Sequence, residues 1–157
     1  MPDSTLSSAE QELLRGLIER GVRFMVVGMS AALMQGARGA TEDIDLWFED
    51  PGDPRIADAV RAAGGIWISG AFGIGPPRIG GDALSERFDV VDSMTGLGRF
   101  ADELAHVRHE MVDGIRVPVL SLRRVVVSKR AADRPKDRVA LPSLLDALAV
   151  LDEPERG

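Results

Sequence analysis

Apolar runs broken by glycine, proline and polar positions divide the 157-residue chain into alternating helices and strands. Ser7 and Glu10 form a capping pair ahead of apolar residues spaced three and four apart, which predicts a helix that ends at Gly21. The mostly apolar run 22–27 predicts a buried strand, and 44–48 predicts a second strand. The chain is therefore predicted to begin with a helix and two core strands, with a further short helix between the two strands.

The rest of the chain continues this alternation and adds a hairpin. Predicted helices cover 31–35, 54–63, 100–104, 121–132 and 135–151, and predicted strands cover 66–69, 87–91, 107–112 and 115–120. Asp113 and Gly114 favour a type I′ turn between the last two strands, which argues against a purely parallel sheet. Pro142 predicts a kink or a break in the last helix, and the glycine- and proline-rich stretch 70–81 predicts a loop. The predicted fold class is therefore α/β, or α+β, with a mixed β-sheet and flanking helices.

Length and composition indicate one domain over 1–157, with a core over about 22–120 and a C-terminal helical part over about 121–151. The absence of cysteine excludes disulfides and thiolate zinc sites. A net charge of −6 gives no general attraction for nucleic acid. No apolar run is long enough to span a bilayer, and the polar N-terminus is unlike a signal peptide. We therefore expect a cytoplasmic protein without a membrane partner.

Two carboxylates, Asp43 and Asp45, flank Ile44 at the start of the second predicted strand. Alternate side chains of a strand share one face, so the two carboxylates are expected side by side. Like charges this close repel unless a cation lies between them, and Mg²⁺ commonly binds one or two carboxylates together with substrate phosphates. The pair therefore predicts a metal site for phosphate chemistry. An exposed strand edge, or a local turn capped by Asp43, is the alternative.

Two neighbouring features fit the same chemistry. Gly28 and Ser30 lie between a predicted strand and a helix, where backbone N–H groups and a hydroxyl can cradle phosphate, although a plain turn with a serine cap is more common. Asp89 interrupts the apolar strand 87–91 and completes a three-carboxylate cluster if that strand lies beside the second one. Asp92 is the alternative third carboxylate, and a solvent-facing position is the alternative for both.

Taken in order, these motifs resemble the nucleotidyltransferase superfamily of polymerase-β-like fold. The resemblance rests on Val26-Val27-Gly28-Met29-Ser30, Asp43-Ile44-Asp45 and Phe88-Asp89-Val90. The blocks 31–36, 41–46, 117–122 and 128–137 are similar to small bacterial members related to the toxins of AbiE-type toxin–antitoxin systems. Met29 departs from the pattern, because many members carry a second small residue there.

The resemblance implies transfer of a nucleotidyl group from an NTP to a hydroxyl of an RNA, protein or small-molecule acceptor, with tRNA among the candidates. It implies that Asp43, Asp45 and Asp89 hold two Mg²⁺ ions, and that Asp89 also helps to activate the acceptor. Gly28 and Ser30 would cradle the phosphates. Because the chain carries little beyond the predicted core, a partner protein or self-association of the chain is expected to dock the acceptor, and an antitoxin is a further expected partner.

A basic cluster stands out in this acidic chain and suits phosphate binding: Lys129, Arg130, Arg134, Lys136 and Arg138. The resemblance favours Lys129 and Lys136, with Asp137 orienting one of them through a salt bridge. The alternative is a solvated helix face, which we prefer for Arg130 and Arg138 and weigh equally with phosphate binding for Lys129.

Two other functions remain open at this point. The first is a catalytically inactive nucleotide-binding or partner-binding module, such as one component of a toxin–antitoxin pair, which Met29 and the negative charge favour. The second is a sugar-nucleotide transferase with an Asp-x-Asp motif, against which the small size and the early position of the motif count. Three clustered acids argue against an inactive site, because such a cluster is costly without a function.

Overall fold

The computed structural model describes residues 6–70, 77–84 and 87–152. The described helices are α1 (Ser8–Glu19), α2 (Gly28–Met34), α3 (Pro54–Ala62), α4 (Phe100–Glu103), α5 (Leu122–Ala132) and α6 (Pro135–Asp152). The described strands are β1 (Phe24–Val27), β2 (Ile44–Phe48), β3 (Ile66–Ile68), β4 (Arg78–Gly80), β5 (Phe88–Val91), β6 (Val107–Val112) and β7 (Ile115–Leu120). The fold is mixed α/β, as the sequence predicts.

Five strands form the main sheet in the order β5-β2-β1-β7-β6, and β3 pairs with β4 in a separate two-stranded sheet. β1 is antiparallel to β2 and parallel to β7, while β2 is parallel to β5. The sheet is therefore mixed, and β5 is an edge strand. All four residues of the central strand β1 are buried, as expected for a strand whose two faces are both covered.

Local sequence signals account for most element boundaries. Ser7 and Glu10 form the predicted capping box of α1, and Ser121 caps α5 through the backbone N–H of Arg124. Asp113 and Gly114 both have positive φ, at 50° and 80°, which confirms the predicted type I′ turn between β6 and β7. Local backbone preference thus decides where these elements begin and turn.

Three predictions about the elements are wrong. α2 begins at Gly28, with Val27 as its N-cap, so Ser30 lies inside the helix instead of capping it. Of the kink or break predicted at Pro142, the break is wrong, because α6 continues as one helix to Asp152. β4 lies within the stretch predicted to be a loop, because pairing with β3 organises Arg78–Gly80. Positions 71–76 of that predicted loop lie outside the described residues.

The core is built on both sides of the sheet from aliphatic and aromatic side chains. α1 contributes Leu13, Leu14 and Leu17, each fully buried. Trp47 is 3% exposed and meets Phe100 edge to face with ring centroids 5.7 Å apart, so Trp47 packs in the core. No described helix has both the length and the apolar character that crossing a membrane requires.

Candidate active site

The turn from β1 into α2 is shaped by a glycine that no other residue can replace without strain. Gly28 has φ of +65°, which favours glycine. A Cβ at this position would lie 2.6 Å from Oδ2 of Asp45, closer than non-bonded atoms approach. The glycine therefore lets the Asp45 carboxylate close onto the start of α2.

Ser30 ties this turn to β2. Its hydroxyl donates to the carbonyl oxygen of Val27 at 2.8 Å and accepts from the backbone N–H of Asp45 at 3.2 Å. Ser30 is buried, and both hydrogen bonds are internal. Its hydroxyl thus fixes the backbone that carries Asp45, and the predicted contact of Ser30 with phosphate stays a prediction.

Sheet register brings the three predicted carboxylates together. Asp45 pairs with Val27 across the antiparallel ladder and with Asp89 across the parallel one. Asp43 lies just before β2 and shares a side-chain hydrogen bond with Asp89, and the Thr41 hydroxyl accepts its backbone N–H at 3.3 Å. Asp43, Asp45 and Asp89 all line one large cleft. Asp92 is absent from the described lining, so the geometry favours Asp89 as the third acid.

The carboxylates repel one another, and this repulsion contributes to raised pKa values of Asp45 and Asp89. Burial, followed by the charges of Asp89 and Asp43, raises the pKa of Asp45 to about 6. Burial and the neighbouring Asp43, which shares a hydrogen bond with Asp89, raise the pKa of Asp89 above its usual range. A hydrogen bond between two carboxyl groups needs a proton on one of them. The negative charge of the fully ionised cluster is therefore only partly compensated by nearby positive charge.

The donor set suits a hard divalent cation that phosphates help to bind. Among residues 6–70, 77–84 and 87–152, no three His, Cys, Asp or Glu side chains already surround a single ion position. Mg²⁺ does not need such a cage, because it commonly takes one or two carboxylates and completes its shell with water and substrate phosphates. Asp45 and Asp89, with Asp43 beside them, can supply these one or two carboxylates.

Three basic residues at the C-terminal helices line the same cleft as the acids: Lys129, Arg134 and Lys136. We call them the basic wall. Asp137 is fully buried and binds Nζ of Lys129 at 3.2 Å and Nε of Arg134 at 2.7 Å. Arg134, then Lys129, hold the pKa of Asp137 well below its usual range. The charges of Lys129 and Lys136 also lower the pKa of Asp45, so these cations act on the acidic cluster. The predicted orientation of a lysine by Asp137 is thus found at Lys129.

The larger cleft, defined by the acidic cluster and this basic wall, has a volume of about 900 Å³. That volume lies in the usual range for small-molecule and cofactor sites. Met29 lies on its wall, and its Cε would be 2.5 Å from a Cβ added to Gly39. The Met29 side chain therefore packs against the loop after α2, and the glycine at 39 provides the room.

Two residues that sequence reasoning missed support the cleft. Gln35 is buried, donates to the carbonyl oxygens of Ala31 and Leu120, and accepts the backbone N–H of Leu122 at 2.9 Å. It thereby fastens α2 to the start of α5. Arg38 lines the cleft, and its carbonyl accepts the Ser143 hydroxyl of α6 at 2.9 Å. Sequence spacing alone indicates neither role, because both residues act through contacts distant in sequence.

Replacing Gly28 with alanine should cost more than backbone strain alone. We expect Gly28→Ala to lose at least about 1 kcal/mol more unfolding free energy than Gly64→Ala, and to displace Asp45. Gly64 is the matched control because its φ is +89° and a Cβ there meets nothing within 4 Å. Urea denaturation of both variants measures the difference, and equal losses would show that the Asp45 contact has no energetic consequence.

Comparisons with known proteins place the fold. No family model and no curated protein matches the chain. The solution structure of the antibiotic-resistance factor ANT(2'')-Ia superposes with a TM-score of 0.60 at 15% identity, over 92% of this chain and 83% of that one. A crystal structure of ANT(2'')-Ia in complex with adenylyl-2''-tobramycin gives 0.58 at 16% identity, over 90% and 86%.

A nucleotidyltransferase-like protein from Paracoccidioides brasiliensis, described as antigenic, gives a TM-score of 0.48 at 16% identity over 92% of this chain and 78% of its own. That similarity is too low to support an argument. The two superpositions on ANT(2'')-Ia show that the chain shares the fold of that protein, and the predicted mixed α/β fold class is confirmed. The relationship to AbiE-type toxins stays a prediction.

Proposed function

We propose that the protein is a Mg²⁺-dependent nucleotidyltransferase that moves a nucleotidyl group from an NTP to a hydroxyl. The observation that carries the proposal is the larger cleft itself, in which Asp43, Asp45 and Asp89 meet opposite Lys129, Arg134 and Lys136. Acids that need a cation thus share one space with three basic side chains. A triphosphate with bound Mg²⁺ satisfies both walls at once.

The acidic residues are assigned to the metal and the basic residues to the phosphates. Asp43, Asp45 and Asp89 would hold the metal, which when bound offsets the negative charge of the triphosphate. Lys129 and Arg134, both held by Asp137, would contact the phosphates together with Lys136. Gly28 lets the α2 backbone approach, and Ser30 keeps Asp45 in place. Asp89, on the edge strand, accepts the proton of the attacking hydroxyl.

The acceptor is a separate question from the reaction. ANT(2'')-Ia was crystallised with adenylyl-2''-tobramycin, an adenylylated small molecule, which supports the small-molecule hydroxyl among the three predicted acceptor classes of RNA, protein and small molecule. An antitoxin partner, self-association and a cytoplasmic setting are carried forward as predictions from the sequence.

Label transfer tests the reaction. The protein is incubated with Mg²⁺ and NTPs labelled at the α- or γ-phosphorus, in the presence of total RNA and a cell extract. We expect an acceptor to gain the α-label and never the γ-label, and Asp45→Asn to abolish the transfer. Transfer of the γ-label, or transfer that survives Asp45→Asn, would contradict the proposal. NTP binding without any transfer would instead support the inactive module.

The acidic cluster should respond to Mg²⁺ through its proton affinity. In the metal-free protein we expect the Asp45 carboxyl to titrate near pH 6, and added Mg²⁺ to lower that midpoint because the cation binds only the ionised form. Carbon-13 NMR of the side-chain carboxyl measures both titrations. A midpoint near the ordinary value for aspartate, or one that Mg²⁺ leaves unchanged, would contradict the site.

A further inference from the structure

A second cleft of about 550 Å³ opens between the β3–β4 ribbon and the edge strand β5. Its described wall shares Asp45, Asp89 and Val91 with the larger cleft. The two clefts therefore meet at the proposed metal-binding acids. We call this second space the smaller cleft.

Phosphoryl-type transfer places the attacking and leaving oxygens roughly in line, on opposite sides of the phosphorus. The two clefts differ in the basic residues of their described walls. Lys129, Arg134 and Lys136 line the larger cleft and not the smaller one. The pyrophosphate, as the more anionic part, belongs beside those cations. The acceptor then approaches from the other side of the acids, where the smaller cleft lies.

Apart from the shared acids Asp45 and Asp89, the described lining of the smaller cleft combines apolar side chains with one basic residue. Ile68 is 43% exposed, although an isoleucine normally favours burial. Arg78 pairs with Ile68 in the ladder and is exposed, and it is the one basic residue among the described lining residues. Such a surface suits a ligand with a short carbon skeleton and an anionic group.

The same features argue against a nucleic-acid acceptor. Nucleic-acid binding normally requires several phosphate contacts, whereas the described wall offers a single arginine in a chain of net charge −6. Single-strand binding also uses exposed aromatic platforms, and Phe88, the aromatic residue in this wall, is 3% exposed. The observations therefore favour a small molecule.

We propose that the smaller cleft is the acceptor subsite, and that it takes a small hydroxylated molecule whose carboxylate or phosphate pairs with Arg78. This inference rests on the proposed function. The acceptor's hydroxyl oxygen bonds to the α-phosphorus of the NTP while the bond from that phosphorus to the bridging oxygen of pyrophosphate breaks. The hydroxyl proton passes to Asp89, and pyrophosphate leaves through the larger cleft.

Amide NMR titrations test the subsite in the presence of Mg²⁺ and inorganic triphosphate, which occupies the phosphate region whichever base the NTP carries. The probes are D-glycerate for a carboxylate, glycerol 3-phosphate for a phosphate, neutral glycerol and cationic tobramycin. We expect at least one anionic probe to shift the amides of Arg78–Gly80 and Phe88–Val91 saturably, with neither glycerol nor tobramycin doing so. The tighter anionic probe identifies the preferred group.

Variants make the assignment specific. Arg78→Gln should weaken the anionic probe at least about tenfold, while Arg78→Lys retains most of the binding. Arg61→Gln is the matched control, since Arg61 is an exposed arginine of α3 paired with Asp58. Three results would overturn the inference. The amides of the β3–β4 ribbon could stay unshifted with every probe, tobramycin could bind in place of the anions, or Arg78→Gln could bind the anionic probe as tightly as the wild type.

The proposed function has its own readout in the same samples. Triphosphate with Mg²⁺ should shift the amides of Gly28 and Lys129 whether or not the smaller cleft binds a probe. If those amides do not move, the proposed function fails. If they move and Arg78 proves irrelevant, only the acceptor subsite fails.

Discussion

Replacing Asp45 with asparagine should stabilise the metal-free protein and abolish nucleotidyl transfer. The pKa of Asp45 is raised from 3.8 to about 6 in the folded state, so folding favours the protonated form. Stability therefore falls as pH rises between these values, and the full penalty is present above about pH 6. The asparagine side chain carries no charge, and we expect Asp45→Asn to gain about 1 to 3 kcal/mol near neutral pH.

The gain should disappear in acid, because near pH 4 the folded wild type already holds the Asp45 proton. Transfer should fall by on the order of a thousandfold or more, since a metal-binding carboxylate is lost. Urea denaturation at several pH values, together with the label-transfer assay, measures both effects. Asp92→Asn is the control, because Asp92 is an exposed aspartate just after β5. A loss of stability in Asp45→Asn at neutral pH would contradict the electrostatic account.

Replacing Asp137 with asparagine should have the largest effect on stability. Asp137 is fully buried and receives hydrogen bonds from Nε, Nη2 and the backbone N–H of Arg134, and an ion pair from Lys129. Removing its charge leaves Lys129 without a partner at a site where its side chain is only 15% exposed. We expect a loss of about 2 to 4 kcal/mol, reduced from the cost of a fully buried pair because Arg134 is half exposed.

The neighbouring aspartate supplies the control. Asp133 is 65% exposed, pairs with Arg138 at 3.6 Å, and has φ of 48°, which asparagine tolerates. Asp133→Asn should therefore cost less than about 0.5 kcal/mol. Inorganic pyrophosphate should restore part of the Asp137→Asn loss, because its oxygens offer an anion to Lys129 and Arg134. Thermal denaturation with and without pyrophosphate measures this, and equal losses in the two variants would refute the proposed role of Asp137.

Much of the fold follows from local sequence signals. The capping box of α1, the apolar run of β2 and the Asp113-Gly114 turn are each decided within a few residues, and each was predictable. Pairing between distant segments was harder to predict. β4 forms inside a glycine- and proline-rich stretch because β3 lies beside it, and no pattern in Arg78–Gly80 alone indicates a strand.

In the candidate site, too, features set by local sequence were predictable and features set by distant contacts were not. The spacing of Asp43 and Asp45 predicts a shared face, and Asp89 was expected beside them if its strand were a neighbour, which the pairing of β2 with β5 provides. The network around Gln35 and the complete burial of Asp137 depend on how α2, α5 and α6 pack. Such contacts have no sequence spacing that would reveal them. For the same reason, the turn of Ser30 toward Val27 and Asp45 emerged only from the structure.

The central claim is that the acids and the basic wall together bind a nucleoside triphosphate through Mg²⁺. Calorimetric titration of each NTP into the wild type, with Mg²⁺ and again with EDTA, tests it most directly. Asp43→Asn is titrated in parallel. The account predicts saturable binding of at least one NTP that requires Mg²⁺ and is lost in Asp43→Asn. Absence of binding in the wild type, or binding that neither EDTA nor Asp43→Asn weakens, would contradict it.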